Sequence, residues 1–106
     1  MENDKFNEIL DKLKLRNLFI AIKEIIQILR IINAEKLSTP MKIRSKSNLK
    51  KSTIYNYVLI CIDLKLVVKI VLPRIHEDGS RYMVMTTRKL KEFLEDLDIY
   101  AREIIA

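Results

Sequence analysis

One glycine and two prolines in 106 residues leave little scope for a loop-rich or disordered chain. Gly79 is the sole glycine, so there is no glycine-rich loop to cradle a nucleotide phosphate. Cysteine occurs once, at Cys61, which excludes an intramolecular disulfide. It lies in the apolar run Tyr57-Val58-Leu59-Ile60-Cys61-Ile62 and reads as a buried core thiol in a reducing cytoplasm. His76 is the only histidine, and it sits on a polar stretch without a Cys/His cluster for zinc. No nucleophile–base pair and no paired carboxylates stand out. Glu92, Glu95, Asp96 and Asp98 read as a solvated helix face. Neither an enzyme, a metal nor a cofactor is expected. The opening Met1-Glu2-Asn3-Asp4 has no basic lead into an apolar core, so no signal peptide is expected. The longest apolar stretch, Leu18 to Ile32, is interrupted by Lys23, Glu24, Gln27 and Arg30. It is too short and too charged to span a bilayer, and a soluble protein with no membrane partner is expected.

Apolar residues make up 49% of the chain, enough for one core, and the length suits a single domain. Heavy isoleucine use beside 32% charged residues is compatible with a hot-living, archaeal-like source. The net charge of +6 is unevenly spread. From Lys36 to Arg74 there are nine basic residues and one acid, Asp63, whereas the remainder is slightly acidic. Such a focused patch favours a polyanion, because neutralising phosphates releases condensed counterions. A lysine-rich solvated face would have the same composition, so the pattern beneath the charge has to decide.

Phe6, Ile9, Leu10 and Leu13 recur at helical spacing. They predict an N-terminal helix over 1–17, which runs on past Arg16-Asn17 or breaks there. Leu18 to Asn33 is a second helix, with the stripe Ile22, Ile25, Ile26, Leu29 and Ile32 and with Ile20, Ile28 and Ile31 outside it. Glu35-Lys36-Leu37 reads as a connector. Ser38-Thr39-Pro40 reads as a helix start, a hydroxyl cap followed by proline in the first turn. The brief helix from Met41 to about Lys46 ends at the turn Ser47-Asn48. Another helix runs from Lys50 to about Leu64, with Ile54, Tyr57, Val58 and Cys61 on one face. Leu66–Leu72 and Arg81–Thr86 predict a β-hairpin with a long tip, Pro73 to Ser80. Thr86 or Thr87 caps a last helix, Arg88 to about Ile105.

Two helices about a tight turn, followed by a hairpin, form the winged helix-turn-helix plan. The fold class expected is mainly α with a β-hairpin, a winged helix-turn-helix with additional N- and C-terminal helices. Its parts are an N-terminal helix 1–17, a winged-helix core 18–86 and a C-terminal dimerisation helix 87–106. The stretch from Leu37 to Val67 also resembles the DNA-binding segment of MarR-type and related small prokaryotic or archaeal winged-helix regulators. The matching residues are Leu37-Ser38-Thr39-Pro40, Ile43, Leu49 to Ile54, Val58, Cys61 and Leu66-Val67. Asp78-Gly79-Ser80-Arg81 follows as a wing cue, then Thr86-Thr87 opens the closing helix. The resemblance covers roughly the last two-thirds of the chain and is a pattern rather than a signature motif. Three positions depart from it. Arg44 stands where a small buried residue is usual, Ser47 where an apolar one is common, and Lys65 where glycine commonly ends the helix.

The physical argument for DNA is separate. With Ile54, Tyr57, Val58 and Cys61 buried, Lys51, Ser52, Thr53, Tyr55 and Asn56 point outward near the helix start. Asn56 suits adenine, Tyr55 a thymine methyl or a phosphate, and Lys50 and Lys51 suit phosphates. Thr39, Lys42 and Lys46 are expected to add contacts from the preceding helix, and Arg74, His76 and Arg81 from the wing. Glu77 and Asp78 beside them would repel phosphate. Surplus apolar surface predicts a homodimer through Phe6, Leu10, Leu13, Leu90, Phe93, Leu94, Leu97, Tyr100 and Ile104. Leu59, Ile60 and Ile62 are expected to join the core face of the 50–64 helix. The expected partner is double-stranded DNA, bound by a dimeric transcriptional regulator. A sequence-tolerant, chromatin-like binder and a winged-helix protein-interaction module are the alternatives.

Overall fold

The computed structural model describes residues 15–105, with four helices and one small sheet. Helix α1 (Leu15–Glu35) leads into strand β1 (Leu37–Ser38), followed by α2 (Pro40–Ser47) and α3 (Lys51–Asp63). Strands β2 (Val67–Val71) and β3 (Tyr82–Thr86) form the hairpin, and α4 (Arg88–Ile105) closes the chain. The expected helix over 1–17 lies outside the described residues except for the first residues of α1.

Each helix boundary has a local cause. Thr39 caps α2: its extended backbone and its Oγ1, accepting the Lys42 N–H at 3.2 Å, satisfy an orphan donor, and Pro40 follows in the first turn. Asn48 ends α2 in the left-handed region at φ 60°. Helix α3 ends in a Schellman arrangement, with the Leu66 N–H on the Cys61 carbonyl and the Lys65 N–H on that of Ile62. Lys65 takes φ 60° there, the conformation for which glycine is the usual choice. Thr87 caps α4, accepting the Leu90 N–H at 3.1 Å and donating to the Leu66 carbonyl at 2.7 Å.

The sheet order is β1-β3-β2, antiparallel throughout. Leu37, expected in a connector, instead pairs with Met85, and Ser38 with Val84. This third strand is only two residues long, too short for an alternating pattern to mark it. The alternation sends Val67 and Val84 into the core, while Leu37, Val68, Ile70 and Met85 face solvent.

One core joins α1, α2, α3, the sheet and α4. Its buried members are Ile28, Leu29, Ile32, Ile43, Ile54, Val58, Cys61, Leu66, Val67, Val84, Leu90 and Leu94. Two expectations are corrected here. Ile28 is fully buried and Ile22 exposed, because α1 is covered by α2, α3, the sheet and α4 along its C-terminal half, not along one straight stripe. Leu59 and Ile60 lie on the solvent side of α3, each about 100° round the helix from its adjacent buried residue, Val58 and Cys61 respectively. The Arg30 guanidinium ties α1 to α4, donating to Asp98 at 2.8 Å.

Candidate nucleic-acid interface

The turn between α2 and α3 is tightened from below. The buried Ser47 hydroxyl donates to the Arg44 carbonyl and accepts the Leu49 N–H, and Gln27 donates to the Ser47 carbonyl at 3.3 Å. Ser47 therefore does with hydrogen bonds what an apolar residue does by packing. Leu49 packs against the core beside it, and Arg44 is exposed.

This turn presents the leading end of α3 to solvent. Ile54, Val58 and Cys61 anchor the inner face, and burial pushes the Cys61 thiol up to about 11, so it is an inert packing group. Tyr57 packs partly against the core. Lys50, Lys51, Ser52 and Asn56 are exposed, and Thr53 and Tyr55 half-buried. Lys50 occupies the N-cap position without a side-chain cap, so the first-turn N–H groups meet no capping side chain. Among the described residues, no acidic side chain forms an ion pair with Lys50 or Lys51.

Other expected contacts are placed differently. Thr39 is 2% exposed, and its hydroxyl is engaged in capping α2 and with Asp78, so its side chain serves as a structural latch. Lys42 and Lys46 both pair with Glu35 at the end of α1, Lys42 at 3.0 Å. These two lysines hold the Glu35 carboxyl below its ordinary range, Lys46 most strongly. Their charge is thus partly answered within the chain, a pairing across elements that helical spacing did not reveal.

The wing tip is ordered by Asp78. One carboxylate oxygen accepts the Thr39 hydroxyl and the other the Ser80 N–H at 2.9 Å. Against the desolvation that would raise it, these donors hold the Asp78 carboxyl down at about 2. The His76 Nδ1 lies 3.2 Å from the Asp78 nitrogen and 3.1 Å from its Oδ1. Gly79 takes φ +87°, the one place where the sole glycine is required. Asp78 thus carries its negative charge beside Arg74 and Arg81, with both carboxylate oxygens engaged by donors of the α2 cap and the wing tip. Arg74, His76, Glu77 and Arg81 are all exposed around it.

On α4 the expected dimer set divides. Leu90 and Leu94 are buried in the chain's own core and are unavailable to a partner. Leu97 is partly buried, while Phe93, Ile99 and Tyr100 are exposed, as are Ile20 and Ile22 on α1. Phe6, Leu10 and Leu13 lie outside the described residues, as does the side chain of Ile104.

A half-open hollow of about 500 Å³ lies between β1, α2 and the wing tip, lined by residues that include Leu37, Met41, Lys42, His76 and Met83. Among the described residues, no group of three or more His, Cys, Asp or Glu side chains is placed to hold a metal, and no helix is long and apolar enough to cross a membrane.

Two helices packed across a tight turn, a hairpin latched beside them and flanking helices define the winged helix-turn-helix fold. Solved structures share it. One is a MarR family transcriptional regulator from Silicibacter pomeroyi DSS, with a TM-score of 0.62 and 19% identity over 97% of this chain and 63% of that one. Another is RV1404 from Mycobacterium tuberculosis, with a TM-score of 0.61 and 12% identity over 99% of this chain and 77% of that one. A third is the transcriptional regulator BldR from Sulfolobus solfataricus, with a TM-score of 0.57 and 20% identity over 92% and 81% of the two chains. At these identities the likeness is one of fold, and the chain spans less than two-thirds of the length of the first. No family model and no curated protein sequence matches the chain.

Proposed function

We propose that this protein is a double-stranded DNA-binding transcriptional regulator that works as a cytoplasmic homodimer. Helix α3 enters the major groove and the β2–β3 hairpin serves as the wing. The observation that carries this reading is the two-sidedness of α3. Ile54, Val58 and Cys61 are sealed in the core, while Lys50, Lys51, Ser52 and Asn56 stand clear at its leading end, with no acid among the described residues paired to the lysines. Lysines and uncapped helix N–H groups suit phosphates; Asn56, with Ser52 and Thr53, suits base edges. Arg74, His76 and Arg81 supply the wing's contacts to the flanking backbone or minor groove.

The dimer surface in this reading is the apolar strip of the terminal helices, with Phe93, Leu97, Ile99 and Tyr100 as its described members on α4. A two-fold arrangement presents two copies of α3 to successive major grooves, about 34–36 Å apart. Selection of bound sequences from a random duplex pool tests the whole. Enrichment of a palindrome supports a specific regulator. Binding without enrichment identifies a sequence-tolerant DNA protein instead, and no binding at low salt removes the reading.

A further inference from the structure

The hairpin touches the helix it flanks through a pair of tyrosines. Tyr82, which opens β3, and Tyr55, near the start of α3, stand edge to face, with ring centroids 6.3 Å apart and planes at 67°. Lys69 of β2 places its Nζ 4.8 Å from the Tyr82 centroid, and Lys51 of α3 lies 6.0 Å from that of Tyr55. Hairpin and helix each contribute one ring and one ammonium group. The Tyr82 hydroxyl is buried without a hydrogen-bond partner among the described residues, so packing and the neighbouring cation hold the ring, not its polar end. Lys69 is the sole charge in β2, an edge strand, where a lysine usually extends into solvent. Here it folds back over Tyr82.

We propose that Tyr55 and Tyr82 act as positioning residues, a strut that sets the angle between the wing and α3. The inference rests on reading α3 as the groove-binding helix. The hairpin is held at its base by β1–β3 pairing and by Val67 and Val84 in the core, and at its tip by Asp78 on Thr39. Between base and tip, the tyrosine contact ties the blade to α3 itself and fixes the angle between them. A wing held at one angle meets the flanking backbone when α3 enters its groove, with little further ordering needed. A loosened wing must lose that entropy on binding.

The experiment uses the full chain with Tyr82→Leu and Tyr82→Phe. Tyr82→Leu keeps an apolar group but removes the ring; it is expected to weaken binding to a selected duplex about tenfold. Its hydroxyl-radical footprint keeps the central protection and loses the flanking protection. In the free protein, amide hydrogen exchange rises across the tip, residues 73–80, and stays unchanged at Val58 and Cys61. Tyr82→Phe, which removes only an unpartnered hydroxyl, behaves as the wild type. Tyr82→Phe matching Tyr82→Leu overturns the strut in favour of a direct hydroxyl contact. Central and flanking protection falling in proportion, with tip exchange unchanged, also overturns it. Failure of the wild type to protect any duplex removes the DNA reading alone, and tip exchange in the free protein then decides the strut by itself. Should Tyr82→Leu not fold, Tyr55→Leu removes the same contact from the helix side and is read by tip exchange.

Discussion

The Thr39 hydroxyl donates to the Asp78 carboxylate across 39 positions of sequence, and the same oxygen accepts the Lys42 N–H that it caps. One side chain thus closes the first helix of the helix-turn-helix and holds down the tip of the wing. The two parts of the proposed DNA surface share this joint. Both oxygens of the Asp78 carboxylate are engaged there, beside the wing's exposed arginines.

Replacing Asp78 with alanine should cost about 1–2 kcal/mol of stability, the range for a hydrogen bond to a charged group with some solvent access. The pH dependence has a definite sign. A carboxyl held at about 2 in the folded chain, below its ordinary value, contributes fully above that ordinary value and loses its contribution as pH falls through about 2. Urea titrations should therefore show a constant gap between wild type and Asp78→Ala near neutrality, closing between about pH 4 and pH 2. A gap that persists unchanged into that acid range contradicts the latch.

Glu35 pairs with two lysines that the proposed function would turn toward phosphate. Glu35→Gln should raise duplex affinity severalfold at low salt and have little effect at high salt, where exposed charges are screened. Fluorescence anisotropy across a salt series measures both. Unaltered affinity at low salt would place Lys42 and Lys46 away from the DNA backbone.

The proposed function gives Lys50 and Lys51 to phosphates, not bases. Changing each to glutamine should weaken specific and scrambled duplexes alike and lower the salt slope by about 0.9 for each phosphate no longer neutralised. Asn56→Ala should instead weaken the selected duplex most, by about 1–3 kcal/mol for removal of a bidentate pair with a base. An equal weakening on both duplexes would reassign Asn56 to the backbone.

Lys65 adopts a left-handed backbone where glycine carries no steric cost. Lys65→Gly should stabilise the fold by about 0.5–1 kcal/mol, the relief of strain exceeding the added unfolded-state entropy. Thermal unfolding reports the sign directly.

The proposed dimer depends on exposed apolar groups of α4. Phe93→Glu with Tyr100→Glu should shift light scattering from the dimer mass to the monomer mass and leave the core intact, since both side chains lie outside it. A wild type that is already monomeric ends that proposal.

Much of this architecture was readable along the chain because its causes are local. Thr39-Pro40, Asn48 and Asp78-Gly79 mark boundaries through backbone preference, and Ile54, Val58 and Cys61 mark a buried face through helical spacing. Those preferences act within a few residues and survive any tertiary setting that keeps the element. The rest depended on distant partners. Glu35 meeting Lys42 and Lys46, Asp78 meeting Thr39, Tyr55 meeting Tyr82, and Leu37 joining Met85 as a third strand have no mark in spacing or composition. Whether Leu90 served a partner or the chain's own core turned on where α4 docks. Periodicity reports which face of a helix is apolar, but what covers that face is settled only when the elements pack.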